Sequence, residues 1–130
     1  ARDNDAYVYY FTRNAPVFRL YVPEEKDLHG DGGQRTLGAY HSGELAYVFN
    51  NLGIVGLGWN DTDHELSNTM ADYWVNFARN GNPNGPGLPD WPTYNSSSDI
   101  VQILGEEVKP AVHPRKVQLD RMENLFLKTR

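Results

Sequence analysis

The four histidines are the side chains here best suited to move a proton near neutrality, and they are scattered along the chain at His29, His41, His64 and His113. His41 stands apart by its setting. Gly30, Gly32, Gly33 and Gly38 lie before it, a short amphipathic stretch at 43–49 follows it, and Glu44 lies close enough in sequence to accept a hydrogen bond near the ring. A histidine delivered by a loop to the start of a helix can serve as a general base if a hydroxyl is brought to it. The bland alternative is a partly buried imidazole held by structural hydrogen bonds. Residue type and spacing alone leave that alternative the commoner one.

Other chemistries find less support. With no cysteine there is no disulfide, thiolate metal site or thiol nucleophile. Asp27-Leu28-His29-Gly30-Asp31-Gly32 faintly follows a calcium loop. Its third ligand position is His29, however, and its twelfth is Gly38, where a bidentate Glu is required. His64-Glu65 lacks the second histidine of a zinc helix, because Asn68 takes that place. The glycines at 53, 56 and 58 lead to Trp59 rather than to a phosphate-binding helix start. No metal and no cofactor is therefore expected. His29-Gly30-Asp31-Gly32-Gly33 looks like an oxyanion loop, but no G-x-S-x-G elbow follows it, so a turn is the better reading. Asn60-Asp61-Thr62 and Asn95-Ser96-Ser97 fit the glycosylation pattern, a match that chance readily supplies in an Asn-rich chain.

The elements around His41 come from length and patterning. A chain of 130 residues suits one compact domain, and 12 Gly with 8 Pro predict long irregular connections. Twelve basic against 17 acidic residues give a net charge of −5, which argues against a nucleic-acid partner. No apolar run approaches the ~18 residues of a membrane span, and no signal peptide opens the chain. It begins at Ala1 rather than Met, as expected of a processed or excised piece.

Residues 6–12 are aromatic and β-branched without a charge, a pattern predicting a strand covered on both faces. A weaker strand is expected at 17–22 and a Gly-rich surface loop at 23–38. The clearest local signal lies at 63–80. Thr62 and Glu65 have capping-box spacing, and Leu66, Met70, Tyr73, Trp74, Phe77 and Ala78 form one helical face. Gly81 and Pro83 close the helix. A Pro/Gly loop at 82–94 should bury Trp91. Short strands are expected at 99–104 and 108–112, and a final helix after Pro114 carries a half-apolar face. One strong strand, a few weak ones and two main helices do not make a self-sufficient α/β domain, since a buried strand needs neighbours on both sides.

The block Leu37-Gly38-Ala39-Tyr40-His41-Ser42-Gly43-Glu44-Leu45-Ala46-Tyr47-Val48-Phe49 strongly resembles the catalytic-histidine segment of the type-B carboxylesterases, the group of para-nitrobenzyl esterases and cholinesterases. The resemblance continues through Leu66-Ser67, Met70, Tyr73-Trp74, Asn76-Phe77-Ala78, Gly81-Asn82-Pro83-Asn84-Gly85, Leu88-Pro89-Asp90-Trp91-Pro92 and Tyr94. It implies an α/β class, with this chain as a C-terminal segment of an α/β-hydrolase fold: an incomplete sheet with two main helices. Residues 1–130 would be the C-terminal part of a single carboxylesterase domain whose nucleophile, oxyanion loop and triad acid lie upstream. His41 matches the triad histidine. Glu44 matches the family's Glu in this segment and would support the histidine from outside, because the chain order Ser, acid, His puts the triad acid earlier.

The resemblance further implies a small carboxylic-ester substrate, the missing N-terminal part as partner, and no useful hydrolysis by this piece alone. Tyr73, Trp74 and Phe77 would pack onto absent elements, leaving a large apolar patch, and the terminal helix around Met122 could serve a dimer contact. The family is compatible with a secreted or periplasmic protein, while the residues leave the compartment open. Two other functions compete. One is a cholinesterase-like binding or adhesion domain without the nucleophile, and the other is a self-standing interaction domain built from the two helices.

Overall fold

A computed structural model describes residues 5–16, 38–55 and 58–128. The elements in chain order are β1 (Tyr9–Phe11), α1 (Leu45–Val48), α2 (Leu52–Val55), α3 (Asp61–Asn80), β2 (Ile100–Leu104), β3 (Val108–Val112) and α4 (Lys116–Lys128). The strand expected at 17–22 and all but Gly38 of the loop expected at 23–38, His29 included, fall outside the described residues.

The sheet has the order β1-β2-β3. β1 runs parallel to β2, with Tyr9 opposite Gln102 and Phe11 opposite Leu104. β2 and β3 form an antiparallel hairpin, both strands standing where the sequence places them. The extended segment at 6–12 is shorter and less covered than its composition predicts. Only three of its residues are strand, and Tyr9 is partly exposed. The cause is its position: β1 pairs with β2 on one side, and among the described residues no strand lies on the other. Backbone pairing does extend past its ends, through Val8 O with Gln102 N at 2.9 Å and Thr12 N with Leu104 O at 2.8 Å.

β1 divides the sheet into two unlike faces, because alternate side chains point to opposite sides. Tyr7 and Tyr9 meet Trp91 edge-on at 6.1 Å each, and Phe11 meets Tyr47 at 5.4 Å. Tyr10, on the other face, accepts a 3.0 Å hydrogen bond from Nε of Arg115.

α3 forms the long side of the core. Leu66, Met70 and Tyr73 are buried at helical spacing, beside Tyr47, Leu52, Trp91 and Leu104. The start of α3 differs from expectation. Its cap is Asn60, not Thr62, and its reciprocal partner is Asp63, not Glu65. Asn60 has the extended backbone a cap requires, so the helix begins early enough to place Thr62 inside the first turn. At the other end Gly81 takes a left-handed φ of 71° and donates its N–H to Phe77 O at 2.8 Å.

Tyr73 also departs from expectation. It lies inside this chain's own core, donating its hydroxyl to Pro89 O at 2.5 Å and accepting Nε2 of Gln102 at 3.2 Å. Trp74 is half-buried, and Phe77 remains 49% exposed. Trp91 is buried as predicted, its backbone clamped on both sides by the side-chain amide of Asn84. The amphipathic stretch at 43–49 yields only the single turn of α1, and the short helix α2 follows it.

α4 is a helix, as Pro114 and the spacing predict, but it buries nothing. Val117, Leu119, Met122, Leu125, Phe126 and Leu127 are all exposed. No helix among the described residues is long and apolar enough to cross a membrane.

Candidate active site

His41 sits at the tip of a tight turn between a half-buried anchor, Tyr40, and a buried one, Gly43. Gly43 N donates to Tyr40 O at 3.0 Å, closing the turn around His41 and Ser42. Tyr40 packs against the core, Gly43 is buried, and the His41 and Ser42 side chains face outward. Only glycine fits the second anchor without disturbance, since a Cβ at Gly43 would stand 3.0 Å from Tyr40 O. Ser42 holds a left-handed φ of 67°, a conformation that costs an L-residue roughly 1–2 kcal/mol. Packing on both sides holds the turn in this strained form and keeps the imidazole presented to the outside.

Glu44 begins α1. Its carbonyl accepts the amides of Tyr47 and Val48, both at 3.0 Å, while its side chain makes no cap hydrogen bond. The carboxylate faces the phenol of Tyr9, whose pKa is raised first by burial and then by the charge of Glu44. Neither the His41 ring nor the Glu44 carboxylate is hydrogen-bonded to a described residue.

Behind the turn lies a buried charge cluster that the sequence reading missed. Asp63 is fully buried and Arg13 is 3% exposed, with Nε of Arg13 donating to Oδ1 of Asp63 at 2.7 Å. The same carboxylate oxygen receives the Tyr47 hydroxyl at 2.9 Å, and Oδ2 receives the backbone N–H of Asn60 at 2.9 Å. Arg13 also donates Nη2 to Oδ1 of Asn60 at 2.9 Å and Nη1 to the exposed Glu106. A buried ion pair persists only when hydrogen bonds saturate it, and this one meets that condition. Burial, then the hydrogen bond to Asp63, pushes the Tyr47 phenol well above its ordinary value, so it stays a neutral donor.

This cluster ties α1 to the rest of the fold. Arg13 follows β1, Tyr47 is on α1, Asp63 opens α3, and Glu106 lies in the β2–β3 turn. Ser67 adds a backbone tie by donating Oγ to Tyr47 O at 3.0 Å. The capping-box spacing from Asn60 to Asp63 was the one sequence signal pointing here. Nothing local marks Arg13.

The other described histidines, His64 and His113, do not join His41. His64 is exposed on α3, and His113 leans on Tyr10 while its Nδ1 accepts the Arg115 amide at 3.2 Å. Among the described residues no group of three or more His, Cys, Asp or Glu could hold a metal ion. Tyr7, Tyr9, Tyr73, Trp74, Phe77 and Trp91 line an aromatic cavity of about 160 Å³ that contains no nucleophile–base pair.

Comparison with known proteins bears on this geometry. Residues 1–122 match the model of the carboxylesterase family. Mouse carboxylesterase 1E is 44% identical over 89 residues, covering 68% of this chain and 16% of the relative. The medium-chain fatty acyl-CoA hydrolase precursor of Anas platyrhynchos is 41% identical over 83 residues, covering 62% and 14%. Among solved structures, carboxylesterase EST55 of Geobacillus stearothermophilus superposes with a TM-score of 0.65 at 26% identity, covering 89% of this chain and 21% of that one. A PNB esterase gives 0.62 at 25% identity, covering 89% and 21%. The chain thus spans well under a quarter of the length of these relatives. The α/β-hydrolase esterases share its fold, and the chain belongs to the carboxylesterase family.

Proposed function

We propose that this chain is the histidine-bearing C-terminal part of a serine carboxylic-ester hydrolase, with His41 as the general base of a Ser-His-Glu/Asp triad. The observation that carries the reading is the presentation of His41: an outward imidazole on a turn whose flanking residues, Tyr40 and Gly43, are packed inward. A proton shuttle needs that combination of an accessible ring and a rigid base. The serine hydroxyl would lose its proton to His41 as it attacks the ester carbonyl. The imidazolium would then return the proton to the departing alcohol oxygen. The nucleophile, its oxyanion donors and the triad acid belong to the remainder of the enzyme, so the chain alone turns over no ester.

Glu44 takes a supporting part in this reading. It stands three residues after His41, as the N-cap residue of α1, and supports the histidine from outside the triad. A small carboxylic ester is the substrate class, in keeping with the family. The experiment is to label the full-length protein with a fluorophosphonate and identify the modified peptide. The reading predicts a labelled serine in a G-x-S-x-G sequence outside residues 1–130. A protein that takes no label, although folded, would contradict the esterase reading and leave a non-catalytic binding domain.

A further inference from the structure

We infer that Tyr47 and Asp63 are positioning residues for the His41 proton shuttle: the hydrogen bond between them fixes where the turn carrying the imidazole stands relative to the sheet. This inference rests on the reading of His41 as the triad base.

The argument starts from what holds the turn. α1 is only a single turn long, too short to be stable by its own hydrogen bonds. Its position must come from side chains that reach the larger elements. Tyr47 is its one buried residue. The ring is gripped by Phe11 at 5.4 Å and by Trp59 at 5.5 Å, which fix its plane. The hydroxyl is fixed at 2.9 Å from Oδ1 of Asp63. These tilted and edge-on ring contacts carry no polar anchor, whereas the hydrogen bond sets the depth of the ring. Asp63 is itself immobilised, because its second oxygen holds the Asn60 amide and its backbone N–H donates to Oδ1 of Asn60 at 3.1 Å. The carboxylate is also pinned by Arg13, next to the end of β1.

His41 is therefore referenced to β1 and α3 through a chain of short bonds. In a hydrolase of this class the nucleophile is carried by the same sheet, so the distance between the two catalytic groups depends on that chain. Displacements of about 1 Å in such geometry cost up to ~100-fold in rate. They leave substrate affinity largely unaltered when the histidine does not contact the ground state.

The test uses the full-length esterase with Tyr47→Phe, which deletes one hydroxyl and preserves the ring packing. Active sites are counted by the nitrophenolate burst from diethyl p-nitrophenyl phosphate, and kcat on p-nitrophenyl acetate is expressed per counted site. Positioning predicts an unchanged site count, a kcat per site lowered about tenfold, and a KM within about twofold of the parent. Asp63→Asn, which keeps an acceptor for the Tyr47 hydroxyl, should lose clearly less kcat per site than Tyr47→Phe. A kcat per site equal to that of the parent overturns the inference, whether or not the site count has fallen, and so does a loss confined to KM. His41→Ala, run alongside, separates the two ideas. If it abolishes turnover while Tyr47→Phe does not lower it, only the positioning role fails. If His41→Ala itself retains activity, the underlying reading fails.

Discussion

The hydroxyl of Tyr47 and the Nε of Arg13 converge on a single oxygen of Asp63, at 2.9 Å and 2.7 Å, in a site from which solvent is almost absent. One carboxylate thereby joins the helix after His41, the strand β1 and the start of the longest helix.

Removing that carboxylate takes away the buried counter-charge of the Arg13 guanidinium and leaves it the exposed Glu106. Asp63→Ala should lower stability by about 3–5 kcal/mol, the usual consequence of breaking one side of a buried pair. Asp63→Asn should cost less, since an amide oxygen still accepts from Tyr47 and Arg13. Urea denaturation of the two variants, compared with the parent, checks the order.

Alkaline pH should destabilise the fold through the same residue. Burial, then the bond to Asp63, raises the folded-state pKa of Tyr47 above the ordinary tyrosine value of 10.0, and burial raises those of Tyr40 and Tyr73. An acid whose pKa is raised on folding contributes stability that is complete below its unfolded pKa. That stability declines as pH rises beyond it, because the unfolded chain then releases the proton first. Stability should hold up to about pH 10 and fall above it. In a titration followed at 295 nm, Tyr47→Phe should remove a tyrosine that ionises only with unfolding. A Tyr47 that titrates at the free value in the folded chain would contradict the buried bond.

At the far end of α3, Gly81 stands at φ 71° with nothing near the place a Cβ would occupy. Gly81→Ala should cost roughly 1 kcal/mol from backbone strain alone, and Gly81→Asn less, because asparagine tolerates that region better. Thermal unfolding of the pair measures both, and an alanine variant as stable as the parent would contradict the left-handed cap.

What the sequence made legible follows from the range of each interaction. The α3 helix, the β2–β3 hairpin and α4 rest on local periodicity and on Gly81 and Pro114, and they stand where those signals place them. The α3 cap was misjudged because Asn60-x-x-Asp63 and Thr62-x-x-Glu65 offer the same spacing, and only the backbone at Asn60 decides between them. β1 was recognised as a strand, but its single-sided pairing depends on which strands lie beside it. Tyr73 was assigned to a missing interface because Pro89 and Gln102, which satisfy its hydroxyl, are distant in sequence. Arg13 is invisible for the same reason, since its partners at 60, 63 and 106 meet it only after folding. His41 stood out only through the family motif around it. The structure adds the turn that turns its side chain outward.

The exposed apolar side chains of α4 give a direct consequence for the chain in isolation. Val117, Met122, Leu125 and Phe126 are each more than half exposed. Apolar area of this kind binds hydrophobic dyes and promotes association. The isolated chain should enhance the fluorescence of 8-anilinonaphthalene-1-sulfonate, and a Val117→Lys/Met122→Lys double variant should lose much of that signal with its helix content intact. An undiminished signal would place the exposed apolar surface elsewhere.

The central claim, that His41 carries the proton of an ester-hydrolysing serine, is met most directly by kcat of the His41→Ala variant on p-nitrophenyl acetate in the full-length enzyme. The account predicts a loss on the order of a thousandfold or more, with the fold and the substrate KM little altered. A loss smaller than about tenfold would contradict it and remove His41 from the mechanism.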